Sequence, residues 1–217
     1  MKSVFYLIGG GEISKKETIH IDKNAFSEVK SERPEVLFVG AASNDSEEYF
    51  KTFKHYFETL GCNCNFLKLT SINVLKKEDK SLLKNSNIIY LGGGSTDLFM
   101  ENIRRTRFDV LLKYLVRREK KIVMGMSAGA HVLCDYYKSS SDFLIKKGMG
   151  VLNFSCNVHF KNSREDVVEL KELRTFSKQV FAISERSALK IKGNELIPLG
   201  KRVFKLSNYG LIKLHET

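Results

Sequence analysis

Four short apolar runs in this sequence are each followed by a turn of small residues that contains glycine. The runs cover residues 4–8, 36–39, 88–91 and 122–124. Amphipathic segments with helical spacing separate them, the clearest at residues 47–60. Strands that are apolar throughout are buried on both faces, and intervening helices allow them to pair in parallel. The sequence therefore predicts a three-layer α/β fold, a mostly parallel sheet with helices on both faces.

Further segments complete the predicted order of elements. Helices are predicted at residues 77–83, 97–104, 109–117 and 165–176, and a further strand at residues 65–69. After residue 180, four short runs separated by turns predict more antiparallel pairing, at residues 180–183, 188–191, 195–199 and 203–206. Because 217 residues suffice for one core and no linker or repeat interrupts them, residues 1–217 are predicted to form a single domain.

The composition excludes several classes of function. The formal net charge is +11, but the lysines are spread along the chain beside acidic residues, which indicates a solvated basic surface. No nucleic-acid-binding motif and no apolar stretch of membrane-spanning length is present. The four cysteines lack the spacing of a zinc or redox site. We therefore expect a cytoplasmic protein with no metal or cofactor and no nucleic-acid or membrane partner.

The fourth apolar run leads into Gly-Met-Ser-Ala-Gly at residues 125–129, a strand–turn–helix pattern with a serine at its apex. Such a nucleophile elbow forces the apex residue into a strained conformation and exposes its hydroxyl. Ser127 is therefore the candidate nucleophile. Since a serine hydroxyl is a weak nucleophile, the motif also predicts a base elsewhere in the chain.

Of five histidines, His159 is the best candidate for that base, because it ends a short apolar stretch beyond the elbow helix. His131 lies one turn past Ser127, and we expect its side chain to point away from the serine. The acids between Ser127 and His159 are Asp135, which continues the elbow helix, and Asp142, which lies in a polar loop. Loops carry site residues more often, which favours Asp142 and leaves Asp135 as the alternative.

The glycine turn at residues 92–94 suggests how a developing negative charge is stabilised. Consecutive glycines let backbone amides approach a ligand without a Cβ in the way. We expect Gly93 or Gly94 to supply one half of an oxyanion hole and the Ala128 amide the other half.

Residues 90–96 (YLGGGST), 125–130 (GMSAGA) and 159–160 (HF), in this order, resemble the peptidase S51 family. Its members include the aspartyl dipeptidases (peptidase E) and the cyanophycinases, and its fold is similar to class I glutamine amidotransferases. The resemblance implies a serine peptidase with Ser127 as nucleophile, His159 as base and Asp142 as acid. It further implies that Arg164 binds an acidic side chain, although the loop before Arg164 is shorter here than in the aspartyl dipeptidases.

These observations predict a serine hydrolase that cleaves small peptides, with dipeptides carrying an N-terminal acidic residue as the candidate substrates. Two other readings stay open: an α/β-hydrolase-type esterase, and a non-catalytic relative that binds a metabolite or a partner in the elbow pocket. A homodimer is also left open.

Overall fold

A seven-stranded sheet forms the centre of the computed structural model, which describes residues 3–215. The strands of this sheet are β1 (Val4–Ile8), β2 (Glu35–Val39), β3 (Asn63–Leu67), β4 (Ile88–Leu91), β5 (Ile122–Met126), β10 (Ala188–Lys192) and β11 (Glu195–Leu199). Their order across the sheet is β11-β10-β1-β5-β4-β2-β3. Neighbouring strands pair in parallel across the part of the sheet formed by β1, β5, β4, β2 and β3. Strands β10 and β11 extend the sheet beyond β1 with antiparallel pairing.

Alternate residues of the central strands pack into two separate cores, one on each face of the sheet. Tyr6 and Tyr90 point to one face, where they meet the first two helices, while Leu7 and Leu91 point to the other, where the next four helices pack. The helices are α1 (Ile19–Ser27), α2 (Glu47–Glu58), α3 (Lys77–Asn85), α4 (Thr96–Thr106), α5 (Phe108–Arg118), α6 (Ala128–Leu133) and α7 (Arg164–Phe176). This arrangement confirms the predicted three-layer α/β fold.

A second sheet of four strands lies beside the first and carries part of the candidate site. It contains β8 (Ser155–Val158), β9 (Val180–Ile183), β12 (Val203–Ser207) and β13 (Gly210–Lys213), in the order β13-β12-β9-β8. Helix α7 packs against this sheet through Leu170 and Leu173. A short hairpin of β6 (Tyr136–Lys138) and β7 (Ile145–Lys147) completes the fold.

The structure corrects the sequence-based elements in three respects. The third strand lies at Asn63–Leu67, two residues earlier than predicted, and the predicted antiparallel group after residue 180 is divided between the two sheets. Helix α1, the β6–β7 hairpin and strand β13 were not predicted.

No helix within residues 3–215 is both long and apolar enough to cross a membrane.

Candidate active site

The turn between β5 and α6 has the geometry of a nucleophile elbow. Ser127 has φ 52° and ψ −110°, a conformation that is costly for any residue other than glycine. The flanking glycines are required because a Cβ on Gly125 would overlap the carbonyl of Gly129, and a Cβ on Gly129 would overlap that of Leu91. The close passage of strand and helix leaves the Ser127 side chain only partly buried, at the carboxyl end of the sheet.

His159 follows the last residue of β8 and reaches the elbow from the second sheet. Its backbone has φ 55°, and its amide donates to the carbonyl of Gly9 at 2.8 Å. The Ser127 amide donates to Ile8, the residue before Gly9, at 3.0 Å. The loop after β1 therefore holds both segments, and it brings His159 Nε2 to 2.7 Å from Ser127 Oγ.

The other ring nitrogen of His159, Nδ1, hydrogen-bonds the carboxylate of Glu185. Both side chains are 46% exposed. With the proton on Nδ1, the imidazole donates to Glu185 and leaves Nε2 free to accept from the serine hydroxyl. Gly10 makes room for this pair, since a Cβ there would lie 2.6 Å from His159 Nδ1 and would also overlap the Glu185 carboxylate. Gly10 has φ 154°.

The structure contradicts the prediction that Asp142 is the acid beside His159. The Asp142 carboxylate is exposed, pairs with Lys146 Nζ at 2.7 Å and accepts from the Leu144 amide at 3.1 Å. Its hydrogen bond with Lys146 lowers the pKa of this carboxyl. The alternative, Asp135, does not contact His159 either: its backbone amide donates to the carbonyl of Phe154, and its carboxylate lies beside Gly150. Glu185 occupies the position expected for Asp142.

The glycine turn after β4 lies against the elbow, as expected for an oxyanion hole. A Cβ built on Gly93 would be 3.6 Å from Ser127 Cβ, and Gly94 lines the same cavity as Ser127. The Gly93 amide makes one long contact, 3.4 Å to the Tyr49 hydroxyl. Ala128 is the first residue of α6, so its amide has no acceptor within the helix. These amides are therefore not consumed by sheet pairing.

Ser127 and His159 open into a cavity of about 730 Å³, here called the Ser127 cavity. This volume is typical of small-ligand sites. Its wall is formed by the elbow, the β6–β7 hairpin, the end of β8 and one face of α7; the residues used below are Thr96, His131, Phe143, Asn157, Arg164 and Glu169. Arg164 is exposed, and no carboxylate of residues 3–215 lies within ion-pair distance of its guanidinium. A second cavity of about 700 Å³, between β1, α5 and β11, contains none of the predicted site residues.

The family model for peptidase family S51 matches residues 5–199, which is most of the chain. The chain belongs to peptidase family S51. The chain is similar to YgaJ, an uncharacterized peptidase of Bacillus subtilis, with 27% identity over 169 residues, 76% of this chain and 71% of YgaJ. It is similar to a "Probable alpha-aspartyl dipeptidase" of Drosophila melanogaster, with 22% identity over 185 residues, 79% and 75% of the two chains.

The crystal structure of a peptidase from an acI-B1 actinobacterium has the same fold as this S51 chain. The TM-score is 0.69 at 21% identity, over 99% of this chain and 98% of the other. The match extends over the second sheet as well as the first. Within this S51 chain, no group of three or more His, Cys, Asp or Glu side chains among residues 3–215 could hold a metal ion.

His131 of this S51 chain lies where we did not expect it. Its side chain lines the Ser127 cavity, with Nδ1 at 3.3 Å from Thr96 Oγ1, and its buried Nε2 has no partner within residues 3–215. Burial, and secondarily the nearby charge of His159, lowers the pKa of His131 to about 4. The ring is therefore neutral at neutral pH and offers the cavity a hydrogen-bonding group without charge.

Glu185 is the site residue that the sequence reasoning missed, and the pairing of two strands explains why. Strands β8 and β9 pair in parallel with Val158 opposite Ile183. His159 therefore leaves one strand end beside Ser184, and Glu185 is the next residue. A search limited to acids between Ser127 and His159 could not find it, because the second sheet brings a later segment back to the same edge.

Proposed function

We propose that this member of family S51 is a serine-type peptidase that cleaves small peptides through an acyl-enzyme on Ser127. The observation that carries the proposal is the hydrogen-bonded series of Ser127 Oγ, His159 and Glu185, with 2.7 Å between Oγ and His159 Nε2. A nucleophile, a base and an acid that orients the base are the groups needed for acyl transfer, whatever the chain order in which they occur.

In the first step, Ser127 Oγ attacks the carbonyl carbon of the scissile peptide bond while its proton passes to His159 Nε2. Glu185 stabilises the imidazolium that results, and the amides of Gly93 or Gly94 and of Ala128 stabilise the oxyanion. His159 then gives the proton to the leaving amine, the C–N bond breaks and the ester remains. A water, deprotonated by His159, hydrolyses the ester and restores the serine.

An acidic N-terminal residue is the substrate feature we propose for Arg164. The support is its place in the wall of the Ser127 cavity and the lack of a carboxylate partner within residues 3–215. A guanidinium binds a carboxylate through two parallel hydrogen bonds, which an ammonium cannot reproduce. We also propose a cytoplasmic location for the protein. This is supported by its four free cysteines, since disulfides are rare in the cytosol.

The test is hydrolysis of a dipeptide panel that differs only in the first residue: Asp, Glu, Asn, Leu and Lys. We expect turnover that is fastest for Asp or Glu and that is abolished in Ser127→Ala. Arg164→Lys should remove most of the preference for acidic residues while leaving Leu dipeptides unaffected. Binding of the panel without any turnover would instead favour a non-catalytic protein, and preferential cleavage of simple esters would favour an esterase.

A further inference from the structure

The floor of the Ser127 cavity contains a buried hydrogen-bond acceptor that the protein itself does not satisfy. Asn157 lies in β8, two residues before His159, and is 4% exposed. Its Oδ1 has no hydrogen-bond partner within residues 3–215, yet the side chain lines the Ser127 cavity. Buried polar atoms are normally hydrogen-bonded because leaving one unsatisfied is destabilising. A hydrogen-bond donor that enters the Ser127 cavity would satisfy Asn157 Oδ1.

A carboxylate lies beside this acceptor. Glu169 belongs to the face of α7 that forms one wall of the cavity, together with Arg164, Glu165 and Val168. Side chains four residues apart are neighbours on a helix surface, so Arg164 lies beside Val168 and Glu165 beside Glu169. Glu169 is half-buried, and no Lys, Arg or His nitrogen of residues 3–215 lies within 4 Å of it.

Within residues 3–215, the Glu169 carboxylate has no cation paired directly with it. Burial raises the pKa of its carboxyl; hydrogen bonding to Asn157 and the charge of Lys138 oppose that rise, and Asp166 and Glu172 add to it. Lys138 does not neutralise Glu169, because its Nζ pairs with Glu172 at 2.6 Å. A buried carboxylate is stabilised when a cation with hydrogen-bond donors comes into contact with it.

We propose that Asn157 Oδ1 and the Glu169 carboxylate form a subsite that binds a primary ammonium group of the substrate. An ammonium carries one positive charge and three donors, which matches one anionic and one neutral acceptor. A small peptide presents this group as its α-amino group or as a lysine side chain. The subsite deepens the proposed peptidase function and rests on it for the identity of the ligand.

The position of Arg164 agrees with this assignment. Arg164 and Glu169 lie five residues apart on α7, which separates their backbones by about 7.5 Å along the helix axis. The cavity wall therefore presents a cation near the start of the helix and an anion further along it. A residue with a free amino group and an acidic side chain offers the complementary pair of charges.

The experiment separates binding from turnover. The best dipeptide of the panel and its N-acetylated twin are titrated by calorimetry into Ser127→Ala, into Ser127→Ala with Glu169→Gln, and into Ser127→Ala with Glu101→Gln. Glu101 is exposed on α4 and lies outside the cavity, so its substitution removes the same charge without touching the subsite. A third peptide is N-acetylated and carries lysine before the scissile bond.

We expect acetylation to weaken binding about tenfold or more, because a charge-assisted hydrogen bond is lost. Glu169→Gln should weaken binding of the free dipeptide by a similar factor, leave the acetylated twin unchanged, and differ from Glu101→Gln. If only the lysine peptide depends on Glu169, the subsite still binds an ammonium group, but that of a side chain. If neither peptide depends on Glu169, the subsite is wrong.

The peptidase function can fail separately. Suppose that the protein with Ser127 intact turns over no peptide while the free dipeptide still binds in a Glu169-dependent way. That result would support the ammonium subsite and rule out the peptidase function. Turnover that is indifferent to acetylation and to Glu169→Gln would do the reverse. The thermal midpoint of each variant shows that a lost affinity is not a lost fold.

Discussion

Two residues of the candidate site, Ser127 and His159, have positive φ angles, which residues other than glycine rarely adopt. Ser127 and His159 have φ of 52° and 55°, a region in which a non-glycine residue costs on the order of 1–3 kcal/mol. The hydrogen bonds of both segments to Ile8 and Gly9 compensate for this cost. As a result, the Ser127 hydroxyl and the His159 imidazole meet at the loop after β1. The strained backbone conformations hold these two groups in line for a hydrogen bond.

Glu185, rather than Asp142, should control the orientation of His159. We expect Glu185→Gln to reduce kcat by a factor of about 10³–10⁴ with little change in the thermal midpoint. The glutamine amide can favour the wrong tautomer of His159, and it carries no charge to stabilise the imidazolium. Glu185→Asp should recover part of the activity. Asp142→Asn, which alters only the exposed pair with Lys146, is the matched control and should retain near-normal kcat. If Asp142→Asn were the damaging change and Glu185→Gln were not, Asp142 would be the acid that orients His159.

Gly93 and Gly94, for which we propose a role in binding the oxyanion, should respond differently to the same substitution. A Cβ on Gly93 meets only ordinary contacts and faces Ser127, so Gly93→Ala should fold normally and lower kcat more than affinity. A Cβ on Gly94, at φ 138°, would overlap the carbonyl of Ala42, so Gly94→Ala should also lower the thermal midpoint. Kinetics and thermal unfolding of both variants check this. A fully active Gly93→Ala enzyme would exclude that turn from charge stabilisation.

The β6–β7 hairpin forms one wall of the Ser127 cavity and is anchored to the start of α4 by a single carboxylate. Asp97 accepts hydrogen bonds from Tyr137, Ser139 and Ser141 and pairs with Lys146 at 3.1 Å. Burial alone would raise the pKa of Asp97, but these donors outweigh it and hold the pKa well below its usual range. The exposed Phe143 at the hairpin tip lines the cavity, so Asp97 helps to position this part of its wall.

Asp97→Asn should loosen the hairpin without disturbing the main sheet. We expect faster amide hydrogen exchange across residues 136–147, a loss of about 2 kcal/mol in unfolding free energy and a raised KM. Exchange in β1 and β4 should be unchanged, which provides the internal control. If exchange across the hairpin stays at the wild-type rate, the carboxylate is not its anchor.

Strands β1, β2, β4 and β5 of the central sheet were predictable because each contains an apolar run that leads into a glycine-containing turn. Strands β1 and β4 were predicted to the residue. Strand β3 was misplaced because its polar residues Asn63 and Asn65 lie at the sheet edge, where they hydrogen-bond Glu35 instead of packing in a core. The hairpin was missed because its strands span only three residues each and are held by side chains distant in the sequence, such as Asp97 and Glu172.

The site was partly predictable for a related reason. Ser127 and the glycine turn are local motifs, and a local motif can be read from consecutive residues. The contact of Glu185 with His159 depends on how two sheets meet, because β8 and β9 belong to the second sheet and Gly10 to the loop of the first. No local pattern records that contact.

Buried ionisable groups give the folded chain a stability that depends on pH. Burial raises the pKa of Asp22 to about 6, against hydrogen bonds from Tyr56 and Thr18. Since the unfolded carboxyl titrates near 4, the folded state binds the extra proton between about pH 4 and 6, and stability falls as the pH rises through that range. His131 acts in the opposite sense: its pKa of about 4 means that stability falls as the pH drops below about 6.5.

Asp22→Asn should separate these two effects. The amide keeps the shape of the side chain but does not titrate, so the change in unfolding free energy from pH 4.5 to pH 7 should be about 2 kcal/mol more positive in the variant than in the wild type. Urea unfolding of both proteins at several pH values measures this difference. A variant whose pH profile parallels that of the wild type would show that Asp22 is ionised in the folded state across the range.

The central claim is that Ser127 is an activated nucleophile, and its most direct test needs no substrate. The protein is incubated with a fluorophosphonate, its intact mass is measured, and the modified residue is located by peptide mapping. Our account predicts a single adduct on Ser127, no adduct on Ser127→Ala, and much slower labelling of His159→Gln. A wild-type protein that stays unmodified, or one labelled at another residue, would contradict it.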